Sequence, residues 1–62
     1  MNRDFLDQLA GQLAVGKSAT CRRAIVRILA VMKKDYEAGR YVNKTEAEHE
    51  FRRLVKGDKG CK

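Results

Sequence analysis

Sixty-two residues make one small domain, and a chain of that size buries only about 60% of the surface its unfolded form exposes, so its core is marginal unaided. Hydrophobic residues at 44% and charged residues at 35%, with no proline or tryptophan, give a globular rather than a disordered composition. Fourteen Lys and Arg against eight Asp and Glu leave a formal charge of +6; these counts exclude a collagen-like chain, a disulfide scaffold and a two-domain protein, and leave little chain to enclose an enzyme's pocket.

The spacing of Phe5, Leu6, Leu9 and Leu13 predicts a first helix over 3–15. Asn2 or Asp4 can cap its exposed N–H groups, and Gly16 can end it, because glycine enters the left-handed region without steric cost. The second helix, 18–38, carries Cys21, Ala24, Ile25, Ile28, Leu29, Met32 and Tyr36 on the i, i+3, i+4, i+7 pattern, opened by Ser18 and closed by Gly39. Val26, Ala30 and Val31 lie off that stripe and widen the apolar face. So short a chain is expected to cover them with a second copy, most simply as a closed homodimer with these residues at the interface. Tyr41 and Val42 are then expected to plug the open end of the bundle. Thr45-Glu46-Ala47-Glu48 announces the third helix, 45–56, as a capping box in which Thr45 and Glu48 satisfy each other's backbone donors. Ala47, Phe51, Leu54 and Val55 form its buried stripe, and Gly57 stops it. The expected fold is all-α: a helical hairpin plus a third, shorter helix, forming a small three-helix domain over 1–57 and followed by a flexible tail, 58–62.

Cys21 and Cys61 are the only cysteines, and two so far apart in the chain, with a lone His49, do not make a zinc site. Cys21 falls on the apolar face and reads as a small core residue; Cys61 reads as an exposed thiol in a polar tail. The longest apolar run, 28–32, is far short of the roughly 20 residues of a membrane span. Arg3, Asp4 and Asp7 do not suit a secretory signal either, so the chain reads as cytoplasmic.

Gly11 to Ser18 matches the phosphate-loop pattern GxxxxGK[ST], in which backbone N–H groups and Lys17 would cradle phosphates. That chemistry needs a buried strand just before the loop. Here the preceding residues read as helix, and the pattern is taken as one helix ending at Gly16 and another starting at Ser18. Leu9-Ala10, Leu13 and Val15, followed by Cys21, Arg23 and Ile25, resemble the helix-turn-helix of bacterial regulators over about a quarter of the chain. The resemblance implies that Arg22, Arg23 and Arg27 would face a DNA groove. Ala14 stands where that family usually has its turn glycine, and the second helix is about twice the usual length, so an ordinary helical hairpin is the reading preferred.

Charge placement carries more information than either motif. The third helix has its acids early and its bases late, complementing the helix dipole, whereas the second reverses this with Arg22 and Arg23 first and Asp35 and Glu37 last. Arg23, Arg27 and Lys34 fall within about 40° of one another on a helical wheel, a basic ridge opposite the Ile25, Leu29 and Met32 stripe. Rules broken locally without evident gain often mark functional surfaces. The expected function is therefore that of a small basic regulatory protein contacting nucleic acid through Lys17, Arg22, Arg23, Arg27 and Lys34, chiefly on phosphates. An alternative is a protein-binding adaptor or inhibitor, of the kind phages and mobile elements encode, docking an apolar helical face on a larger protein. His49 has no nucleophile or acid at a catalytic spacing; no enzyme, cofactor, metal, small-molecule substrate or membrane partner is expected.

Overall fold

Gly16 (φ 75°) and Gly39 (φ 83°) interrupt a chain that is otherwise almost continuously helical. A computed structural model describes residues 4–61 as α1 (Asp4–Ala14), α2 (Ala19–Glu37) and α3 (Lys44–Gly57), followed by a 3-10 turn, Lys59–Cys61. Among the described residues there is no strand, and no helix is long and apolar enough to cross a membrane. The helical hairpin and a third helix stand as the sequence predicts; α3, at 14 residues, is shorter than α2 at 19 but not than the described part of α1 at 11, and both ends of α2 and α3 and the end of α1 move by one residue.

Local chemistry accounts for both ends of α2 and the start of α3. Ser18, in extended backbone, caps α2 by accepting from the Cys21 N–H at 3.2 Å. At its far end, the Gly39 N–H donates to the Tyr36 carbonyl at 3.1 Å and the Arg40 N–H to Asp35 at 3.0 Å. This paired closure needs a left-handed residue, which glycine supplies. α3 is capped by Asn43, not Thr45: Asn43 Oδ1 accepts from the Glu46 N–H at 2.8 Å, and Glu46 Oε1 accepts from the Val42 N–H at 2.7 Å. The spacing Asn43–Glu46 is the same as Thr45–Glu48, and asparagine caps at least as well as threonine, so the earlier register prevails. Asn2 lies outside the described residues.

The core is one cluster: Leu6, Leu9 and Ala10 from α1, Cys21, Ile25 and Met32 from α2, and Ala47, Phe51 and Val55 from α3. Leu13, Ile28, Leu29, Tyr36 and Leu54 close its margins half-buried. At one end of the bundle, Phe5 meets Tyr36 edge-on at 5.1 Å and the Lys44 ammonium stands 5.3 Å above the Phe5 ring. Tyr41 closes that end, donating its phenol to Met32 Sδ at 3.1 Å. Val42 does not help; it is 84% exposed, its backbone engaged in capping α3.

The other end corrects the reading of the cysteines. Cys21 and Cys61 form a disulfide, with Cα atoms 4.4 Å apart across 40 residues of chain. Cys61 is therefore not an exposed thiol, and the chain does carry one disulfide. Within the expected tail, 59–61 form the 3-10 turn: the Gly60 N–H donates to Asp58 Oδ1 at 2.8 Å and the Cys61 N–H to the Asp58 carbonyl at 3.0 Å. The cause is topological, since the reversal at Gly39 returns the end of α3 to the start of α2. Lys62 lies outside the described residues.

Candidate functional site

α2 turns Cys21, Ala24, Ile25 and Met32 inward, leaving the opposite face of a 19-residue helix to solvent. At 100° per residue, Ala19, Val26 and Ala30 run along the middle of that outward face, with Arg22 on one flank and Arg23, Arg27 and Lys34 on the other. Arg22, Arg23, Val26 and Arg27 border a shallow depression of about 570 Å³ together with Ala19. All four ridge cations are exposed, and among the described residues none pairs with an acid. Lys33 differs: it bridges to Asp7 of α1 at 3.2 Å.

The proposed interface residues occupy the same face or its edge. Val26 is 64% and Val31 55% exposed, and Ala30 is exposed between them. The apolar width that marks them in the sequence is thus left uncovered within one chain, with Val26 and Ala30 between Arg22 and the row Arg23, Arg27 and Lys34, and Val31 beyond that row.

Lys17 stands apart from the ridge. It is exposed in the turn between α1 and α2, and it lines a different concavity, of about 290 Å³, with Leu13, Arg52, Val55, Lys56 and Cys61. Arg52 and Lys56 are functional candidates that sequence reasoning missed. Their spacing of four residues was visible, but dipole complementarity explained them, and nothing local shows Lys17 beside them. The Gly11–Ser18 stretch holds no phosphate loop: Gly11 lies within α1, and Ser18 caps α2.

A third concavity, bordered by Arg40, Tyr41, Glu46, Glu50 and Arg53, is charge-balanced. Arg53 grips both oxygens of Glu50 at 2.9 Å, and Arg40 reaches Asp35 at 3.4 Å. Burial, and next the nearby Asp35 carboxylate, raise the Tyr41 phenol above its ordinary value, while Arg40 acts the other way. His49 is exposed.

The charges divide by end. Every acid except Asp58 lies in the half of its element nearer the Phe5–Tyr36 contact, whereas Lys17, Arg22, Arg23, Arg52, Lys56 and Lys59 gather at the disulfide end. Comparison of the chain with protein-family models, curated proteins and solved structures finds no match.

Proposed function

We propose that this protein binds nucleic acid through the outward face of α2, with Arg22, Arg23, Arg27 and Lys34 on phosphates and Lys17 at the edge, and that it acts as a small regulatory protein rather than an enzyme. One observation carries the reading: four exposed cations share one helical face and have no acidic partner among the described residues. No aromatic is interleaved with them to stack on bases, since Tyr36 and Tyr41 pack against the core. Binding is then through phosphates, weak in sequence preference and strong in salt dependence. About four phosphates neutralised on duplex DNA give a log–log salt slope near −3.6. The triple change Arg23→Ala, Arg27→Ala, Lys34→Ala is expected to abolish the mobility shift while the helical circular dichroism stays unchanged. Failure of the wild type to shift any DNA or RNA at low salt would falsify the proposal.

The second reading, a protein-docking adaptor or inhibitor, draws on the exposure of Val26 and Val31 on the same helix. It takes first place if nucleic acid is not bound. A homodimer through Val26, Ala30 and Val31 would cover the ridge's own face and set like charges of two copies together, so we infer that pairing and nucleic-acid binding compete. Light scattering tests this: a dimer should be favoured by added salt and lost on adding oligonucleotide, and a dimer that persists with bound oligonucleotide rejects it. A cytoplasmic site of action rests on the partner's chemistry alone. The Cys21–Cys61 bridge weighs against a strongly reducing compartment.

A further inference from the structure

The concavity at the disulfide end has an apolar floor of Leu13 and Val55, and its charged side chains, Lys17, Arg52 and Lys56, are all cations. Arg52 and Lys56 are four apart on one helix, a spacing at which like charges destabilise it. Lys17 arrives from the α1–α2 turn as a third, and among the described residues none of them has an acidic partner. Asp58, the one acid at this end, is turned to the Gly60 N–H at 2.8 Å. Three cations converging without compensation make a site for an anion.

No residue of α2 lines this concavity, whereas the ridge stands on the face of α2 turned away from α1 and α3. The two basic surfaces lie on different sides of a body whose extents are 31 × 18 × 16 Å, and they meet at the end where Lys17 leads into α2. A duplex, stiff over about 150 base pairs, meets such a body along one side only. A single strand can turn round its end.

We propose that Lys17, Arg52 and Lys56 form a second phosphate-binding point for the ligand of the α2 ridge, and that this ligand is a flexible single strand passing round the disulfide end. The proposal rests on the nucleic-acid reading above. Its test compares labelled oligothymidylate with a labelled duplex by fluorescence anisotropy across a salt series, on the full oxidised chain. Seven cations in contact with a single strand give a slope near −4.9, and Arg52→Gln with Lys56→Gln lowers it to about −3.5, with on the order of tenfold weaker binding at low salt. The duplex should show a slope near −3.6 in both proteins. Both changes are at exposed positions, and unchanged helical circular dichroism confirms the fold. A single-strand slope near −2.8 that the double variant leaves untouched overturns the inference while the ridge reading stands. Equal loss on duplex and single strand overturns the single-strand assignment. If the wild type binds neither probe, the ridge reading itself falls, and the inference with it.

Discussion

Tyr41 is a residue whose charge state the fold opposes. Its phenol donates to Met32 Sδ at 3.1 Å, and burial, followed by the Asp35 carboxylate, raises its pKa. A group whose pKa is raised by folding contributes stability below its unfolded value, about 10 for tyrosine, and loses that contribution as pH rises through the folded value. The protein should therefore weaken in alkali, and Tyr41→Phe should remove part of that loss while costing about 1 kcal/mol or less at neutral pH. Urea unfolding of both proteins at neutral and at strongly alkaline pH makes the comparison. Parallel losses in the two would show that Tyr41 carries none of it.

At the scale of elements, the caps and the charge pattern of α2 become intelligible together. The first turn of α2, with Arg22 and Arg23, lies beside the C-terminal ends of α1 and α3, brought there by the Ser18 turn and the Cys21–Cys61 bridge. Two negative helix ends at this end of the bundle offset part of the positive end of α2, so these cations cost less than they would on an isolated helix. The acids at the end of α2 share their end of the bundle with the first turn of α3 in the same way. α3 itself offers a sharp test of register. Asn43→Ala should destabilise by about 1 kcal/mol, because Asn43 Oδ1 accepts the Glu46 N–H, whereas Thr45→Ala should change stability by less than about 0.5 kcal/mol. Thermal melts of the two variants decide it; the reverse order would restore the Thr45 cap.

For the molecule as a whole, the disulfide compensates for the small core. It ties the 3-10 turn to the first turn of α2 and closes a loop of 40 residues. Chain-entropy reasoning assigns such a link about 2–4 kcal/mol, a large share of what a domain this small can possess. Reduction with a thiol should lower the urea midpoint accordingly, with Cys61→Ser matching the reduced wild type. Equal midpoints for reduced and oxidised protein would show that the helices hold without it. The same link holds Cys61 at the edge of the concavity lined by Lys17, Arg52 and Lys56, so the basic end and the staple form one piece of structure.

Periodicity, glycine placement and capping residues by themselves determined the three helices, the turns at Gly16 and Gly39, the Ser18 cap and the inward set Leu6, Leu9, Ile25, Met32 and Phe51. The exposure of Arg22, Arg23, Arg27 and Lys34 was legible for the same reason: angular position about a helix axis is a local property that spacing encodes. Which ends of the helices meet is not local. The pairing of Cys21 with Cys61 and the convergence of Lys17 with Arg52 and Lys56 were decided only by the tertiary structure. Each depends on two chain reversals packing three apolar faces against Phe51 and its neighbours. Residues remote in the chain become adjacent only when that core closes.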